Sequence, residues 1–186
     1  MRPLATLTAA TATLGLAAIA AEGLLRTIAP AQRPLSAPVR VRVEIGAPIE
    51  QAWEVVADIP GQVRWMPEMK RVAVIPPGPV AVGPVGEATV GFLGISVSDR
   101  VTITTFEPPV AFAIEHHGLF GGSGRLDLLA GLDGETTIVE WVEQLVPPVL
   151  PAVGWLLGRH LTAWLYQRDL FLLRDIVEET SHPATG

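Results

Sequence analysis

The segment from residue 39 to residue 67, VRVRVEIGAPIEQAWEVVADIPGQVRWMP, constrains the fold more than any other part of the chain. Its first seven residues alternate apolar and charged side chains, which is the period of a β-strand with one buried face. Pro48 suits the first position of a helix. The apolar positions that follow have the spacing of one helix face: Ile49, Ala52, Trp53 and Val56. Asp58 and Pro60 indicate the start of a second short helix. The segment therefore predicts a strand followed by two short helices.

The remainder of the chain predicts several short strands and one long helix. Apolar stretches are separated by Pro- and Gly-containing turns, which is typical of an antiparallel meander. The strands are expected at residues 71–75, 86–93, 95–106, 111–117, 125–130 and 136–146, with a glycine-rich turn at 118–124. Residues 152–179 contain no proline and are rich in Leu, Trp, Arg and Ala, which predicts a single helix. These patterns predict the α+β class.

The order of motifs in residues 39–67 resembles the START/SRPBCC superfamily, in particular its polyketide cyclase/dehydrase and lipid-transport-like branch. The motifs are V-x-V-x-I, A-P-x-x-x-A-W, A-D and W-x-P. The resemblance implies a helix-grip fold, in which a curved antiparallel sheet of about six or seven strands wraps around the long C-terminal helix. It also implies an apolar cavity between the sheet and that helix.

The N-terminus predicts a hydrophobic helix separate from this domain. Residues 3–21 carry no charge, and as a helix they would span roughly 28 Å, close to the thickness of a bilayer core. We therefore expect residues 1–26 to form a single membrane span that anchors the protein. The alternative is a signal sequence cleaved near Ala20, followed by export. Residues 27–38 read as a Pro/Ala linker, 39–179 as the ligand-binding domain and 180–186 as a flexible tail.

Composition and motifs exclude several classes of function. Acidic residues outnumber basic ones, the net charge is −6, and no basic cluster occurs, so we expect no nucleic-acid partner. The chain has no cysteine, which excludes disulfides and thiol catalysis. The glycine-rich segment 118–124 precedes a strand rather than a helix, so it is not a phosphate-binding loop. We predict no metal and no cofactor, and the sequence leaves the oligomeric state open.

Alternation along the strands predicts which residues face the cavity. The candidates for ligand binding are mostly apolar, with a few polar groups, as small-molecule sites usually are. On the strands they are Phe92, Ile103, Phe112, Ile114, His116, Leu128, Val139 and Trp141. On the long helix they are His160, Trp164 and Arg168.

The polar candidates have more than one interpretation. His116 is either a polar contact for a ligand or a hydrogen-bonded core histidine, and the adjacent His117 must point to the other face of the sheet. Glu143 either faces the cavity and pairs with a cation or lies in solvent at the strand end. His116 and Glu143 are the weak candidates for catalysis. Arg168 either emerges at the cavity rim or binds an anionic ligand group.

Three hypotheses about function follow. The first is binding, transport or sequestration of a hydrophobic small molecule or lipid in the cavity, near a membrane. The second is an enzyme of the polyketide cyclase/aromatase type, which would catalyse cyclisation and dehydration with His116 and a carboxylate. The third is a protein-interaction module, because the long helix is apolar on more than one side and only one side can face the sheet.

Overall fold

The computed structural model describes residues 3–28, 38–75, 79–92, 95–147 and 150–181. Within these ranges, side chains are described except at residues 3–13, 28, 73, 74, 84, 85, 91, 92, 95, 151 and 155. The helices are α1 (Pro3–Ile28), α2 (Ile49–Ala57), a 3₁₀ helix (Pro60–Arg64) and α3 (Pro151–Ser181). The strands are β1 (Val39–Ile45), β2 (Met69–Val74), β3 (Gly83–Phe92), β4 (Ile95–Glu107), β5 (Ala111–His117), β6 (Gly121–Ala130) and β7 (Thr137–Val146).

The strands form one antiparallel sheet of seven strands in the order β1-β7-β6-β5-β4-β3-β2. The first strand pairs with the last, so that Val39 lies opposite Glu143. The pairings of β2 with β3, β3 with β4 and β4 with β5 each contain a register shift. Such bulges bend a strand and increase its twist, so they curl the sheet towards α3. The predicted α+β helix-grip fold is confirmed.

The core lies on the concave face of the sheet. Strand β1 buries every second side chain there, as its alternation predicted. Helix α2 adds Trp53 and Val56, while α3 adds Leu170, Leu173 and Val177. Burial of each large apolar side chain of this kind contributes about 1.5–3 kcal/mol of transfer free energy. The core is therefore concentrated where the C-terminal half of α3 meets the sheet.

The glycine-rich segment differs from its prediction, because most of it belongs to a strand. Strand β5 ends at His117 and β6 begins at Gly121, so only residues 118–120 form the connection. Gly122 has a φ of 141°, and a Cβ atom there would lie 1.9 Å from the main-chain oxygen of Gln144. Glycine is thus required by the close approach of β7, which composition alone does not reveal.

Helix α3 presents a different face to the sheet from the one predicted. Trp164 is 60% exposed, and His160 and Leu161 are also exposed. The inward side chains instead include Leu170 and Leu173, both fully buried. Because α3 is apolar on two sides, hydrophobic periodicity alone does not determine which side the sheet covers.

The prediction of a membrane-anchored protein is overturned by the N-terminal helix. Glu22 is only 6% exposed and is paired with Arg26, whose Nε lies 2.8 Å from the carboxylate. The same carboxylate accepts hydrogen bonds from the main-chain N–H groups of Ala152 and Val153, so α1 packs on the first turn of α3. Among the residues with described side chains, no helix is long and apolar enough to cross a membrane. The predicted single N-terminal span is therefore wrong.

The other predicted segment boundaries fall largely outside the described residues. Of the expected linker, residues 29–37 lie outside them, whereas residues 27 and 28 belong to α1. Of the expected tail, residues 182–186 lie outside them, whereas residues 180 and 181 belong to α3. Residues 93 and 94, between the expected strands at 86–93 and 95–106, also lie outside the described residues.

Candidate functional site

A cavity of about 260 Å³ lies between the sheet and the N-terminal half of α3. Residues of β5, β6 and β7 line it on the side of the sheet, and residues of α3 line it on the other side. Its apolar wall includes Phe112, Ile114, Leu126, Trp141, Leu145 and Leu165. Its polar groups include Glu68, His116, Glu143, Thr162, Tyr166 and Asp169. An apolar cavity with a few polar groups is the usual form of a small-molecule site.

His116 lies between two carboxylates on the wall of this cavity. Its Nδ1 is 2.5 Å from Oδ2 of Asp99, and its Nε2 is 2.9 Å from Oε1 of Glu143. The other carboxylate oxygen of Glu143 accepts a hydrogen bond of 2.9 Å from the Trp141 indole. Since carboxylates only accept, a histidine with both nitrogens on carboxylates donates from both and is an imidazolium. This cluster thus fixes one cation on the wall.

A glycine makes this arrangement possible. His116 lies on β5 and Glu143 on β7, and strand β6 runs between them. At the crossing point, Gly124 lies opposite both Ile114 and Glu143. A Cβ atom on Gly124 would lie 2.3 Å from Oε2 of Glu143. The missing side chain therefore leaves the space through which the Glu143 carboxylate crosses β6 to reach His116.

Burial and charge act in opposite directions on His116. Burial disfavours the imidazolium, but the carboxylates of Glu143 and Asp99 outweigh it and raise the pKa of His116 to about 9. Burial also raises the pKa of Glu143, and the His116 imidazolium and the Trp141 N–H oppose that shift. Glu143 is only 2% exposed, so its charge depends on these two partners. At neutral pH, His116 is a proton donor rather than a base.

A second cation, Arg168, lies near the cavity and is also held by two carboxylates. Its Nη2 is 2.6 Å from Oδ1 of Asp169 and also bonds Glu68, which follows the 3₁₀ helix. Burial raises the pKa of Asp169 to about 6, against the opposing effect of Arg168. For Glu68, burial raises the pKa, but hydrogen bonds from Arg168 and from the main chain, together with the charges of Arg168 and Lys70, lower it overall. The guanidinium therefore neutralises carboxylates of the protein itself.

The structure distributes the predicted ligand-binding residues over four places. Phe112, Ile114, His116 and Trp141 line the cavity together. Ile103, Leu128 and Val139 face the same side of the sheet but are fully buried in the core. His160, Trp164 and Arg168 lie on α3 outside the residues that form the wall. Phe92 ends β3, and its side chain lies outside the described residues.

Sequence reasoning missed Asp99, Tyr166 and Asp169. Asp99 meets His116 only through the register of β4 on β5, which one strand does not reveal. Tyr166 stacks on Trp141, with ring centroids 4.2 Å apart and 24° between the planes. Thr162, Tyr166 and Asp169 have the spacing of one face of α3. The opposite face is more apolar, so the sequence favoured that face as the one in contact with the sheet.

A curled antiparallel sheet that encloses a cavity against its C-terminal helix defines a START-type ligand-binding fold. Residues 36–178 match the family described as polyketide cyclase / dehydrase and lipid transport, and the chain belongs to this family. The suspected START/SRPBCC membership is thus confirmed. No curated protein sequence matches the chain significantly.

Solved structures share this fold at low sequence identity. The Zhui aromatase/cyclase from Streptomyces sp. R1128 aligns with a TM-score of 0.64 and 18% identity, over 81% of this chain and 99% of that one. A START superfamily protein from Mycobacterium smegmatis gives 0.62 and 16%, over 77% and 98%. A protein from Deinococcus radiodurans gives 0.58 and 22%, over 77% and 99%. Identities this low show a common fold.

The pKa of His116 predicts a pH-dependent stability. A histidine whose pKa rises from about 6.5 unfolded to about 9 folded stabilises the fold fully below pH 6.5, and this contribution disappears as pH rises through 9. We expect a loss of about 3 kcal/mol in the free energy of unfolding, measured by urea denaturation at pH 6.5 and 9.5. His116→Gln should abolish most of this loss. Equal pH dependence in both proteins would contradict the assignment.

The passage of the Glu143 carboxylate over Gly124 predicts that a larger residue at position 124 disturbs the His116 cluster. Gly124→Ala should displace the Glu143 carboxylate, lower the free energy of unfolding by about 1–3 kcal/mol and reduce the pKa of His116. Urea denaturation and NMR titration of the histidine ring measure the two effects. Gly121→Ala is the matched control, because it lies on the same strand with nothing within 4 Å of the added Cβ. Equal effects of the two substitutions would refute this explanation.

Proposed function

We propose that the protein binds a hydrophobic small molecule or lipid in the cavity between the sheet and α3. The observation that carries this proposal is the cavity itself. Protein interiors are normally close-packed, so an apolar space of about 260 Å³ is exceptional for a core and suited to a ligand. Membership of a family whose description includes lipid transport supports the same function.

The proposed contacts with the ligand follow from the residues that line the cavity. Phe112, Ile114 and Trp141 provide apolar surface on the sheet, and Leu165 provides it on α3. His116 adds a polar group to this wall, with both ring nitrogens already bonded to Asp99 and Glu143. Burial of a ligand against such a wall is driven mainly by removal of apolar area from water.

Filling the cavity should abolish binding without unfolding the protein. We expect Ile114→Trp to weaken binding of the uncharged dye N-phenyl-1-naphthylamine by about tenfold or more, since the indole occupies the space of the ligand. Dye fluorescence measures the affinity, and a thermal melt monitors the fold. Leu132→Trp is the control, because residue 132 is fully exposed. No binding by the unmodified protein would refute the proposal, and unchanged binding by Ile114→Trp would place the dye elsewhere.

A second candidate function is polyketide cyclisation and dehydration. The specific observation in its favour is that His116 and Glu143 lie on the same wall, with Nε2 and Oε1 2.9 Å apart. In this reaction the Nε2–H of His116 would leave Glu143 and protonate a ketone oxygen, and the freed Glu143 carboxylate would remove a proton from the carbon next to that ketone. The resulting enol carbon then attacks a second ketone carbon of the same molecule, whose C=O double bond opens to a hydroxyl group. That hydroxyl leaves as water, and enolisation of the remaining ketones makes the ring aromatic. The fold of the Streptomyces aromatase/cyclase is compatible with this chemistry.

A short triketone tests this activity. Heptane-2,4,6-trione closes to orcinol with loss of one water, which chromatography measures directly. If the protein is such an enzyme, it should accelerate this reaction, and His116→Gln should reduce the acceleration about a hundredfold or more. His117→Gln is the control, because His117 points to the opposite face of the sheet and bonds Thr102. A rate equal to that of buffer would exclude this reaction for the protein.

A further inference from the structure

Tyr166 brings an unpaired hydroxyl group to the cavity. The ring lies on the wall and stacks on Trp141. Nothing in the described part of the chain forms a hydrogen bond with its hydroxyl. The side chain is half-buried and borders the cavity. A bound ligand would cover this hydroxyl, so a ligand that pairs with it avoids the cost of leaving it buried without a partner.

The surroundings of Tyr166 keep this hydroxyl protonated. Burial disfavours the phenolate, and the carboxylates of Glu143, Asp169 and Glu68 add to that effect, so the pKa is raised well above 10. The group is therefore available as a hydrogen-bond donor throughout the neutral range. A donor recognises an acceptor, such as a ketone, ether or hydroxyl oxygen.

The charged groups around the cavity leave no cation for an anionic ligand among the residues described. His116 is held by Asp99 and Glu143, and Arg168 by Glu68 and Asp169. Each cation thus faces two carboxylates of the protein. An incoming carboxylate or phosphate would have to displace one of them or remain unpaired in a poorly hydrated site, and both alternatives are costly.

Arg125 does not supply a free cation for an anionic ligand either. It contributes to the wall, but its side chain is exposed and paired with Asp127, with Nη2 2.7 Å from Oδ1. Its neighbours on β6, Gly124 and Leu126, are the residues buried on the concave side. The guanidinium of Arg125 is therefore committed to a carboxylate on its own strand.

We propose that the cavity selects an uncharged ligand with an aromatic or alicyclic ring and an oxygen acceptor bound by the Tyr166 hydroxyl, and that it rejects fatty acids and phospholipids. This inference rests on the proposed binding function and narrows the class of ligand. The stacked pair of Trp141 and Tyr166, with Phe112 on the same wall, suits a flat ring. The volume of about 260 Å³ lies just below the usual range for ligand sites and favours a compact molecule over a two-chain lipid.

Three probes of nearly identical shape test the proposal on the full chain. 2-Acetylnaphthalene carries a ketone, 2-isopropenylnaphthalene replaces its oxygen by a methylene group, and 2-naphthoate replaces the acetyl group by a carboxylate. Affinities are measured by calorimetry at pH 7.5 for the unmodified protein and for Tyr166→Phe. Thr180→Val is the matched control, because it removes one hydroxyl from an exposed position on the same helix. A thermal melt of each variant reports the fold.

The ratio of ketone to alkene affinity isolates the hydroxyl from differences in probe solubility. We expect this ratio to fall by about three- to tenfold in Tyr166→Phe, while alkene affinity and melting temperature stay unchanged. Naphthoate should bind at least about tenfold more weakly than the ketone. An unchanged ratio in Tyr166→Phe, a similar fall in Thr180→Val, or naphthoate as the tightest probe would overturn the inference. Failure of all three probes to bind would instead refute the underlying proposal of an apolar ligand site.

Discussion

The packing of one helix against a curled sheet is the constraint on which this structure depends. One face of α3 packs in the core along part of its length and lines the cavity along another part. Towards its C-terminus, Leu170, Leu173 and Val177 are fully buried and hold the helix in place. Towards its N-terminus, Thr162 and Tyr166 border a cavity, because the sheet curves away. The packed C-terminal part of α3 therefore fixes the position of the part that borders the cavity. The side chains that could bind a ligand are thus carried by a rigid element.

The two cations near the cavity are paired with carboxylates of the protein rather than left for a ligand. Two cations, His116 and Arg168, each contact two carboxylates. Such pairs are weak evidence for added stability, since desolvation offsets much of the attraction. They do impose geometry: His116 joins β4, β5 and β7, and Arg168 joins α3 to the segment after the 3₁₀ helix. A site whose cations are already paired with the protein's own carboxylates is well suited to discriminate by shape and hydrogen bonding.

The sequence was most informative where a side-chain pattern has only two possible phases. Alternation placed Phe112, Ile114, His116 and Trp141 on the concave face, because a strand has only an inner and an outer side. A helix that is apolar on two sides has no such restriction, and Trp164 was assigned to the wrong one. The partnership of His116 with Asp99 could not be predicted, since it depends on register between strands. The passage of the Glu143 carboxylate over Gly124 could not be predicted for the same reason.

The bond between Glu22 and the start of α3 has a practical consequence for anyone who shortens this protein. The first turn of a helix leaves main-chain N–H groups without partners, and its positive end favours an anion. Here the anion comes from α1, through the Glu22 carboxylate on Ala152 and Val153. A version that begins at residue 39 would retain the whole sheet, yet it would expose the helix end nearest the cavity. Helix α1 thus caps α3 although it is distant in sequence, and its removal would affect the end of the domain that contains the cavity.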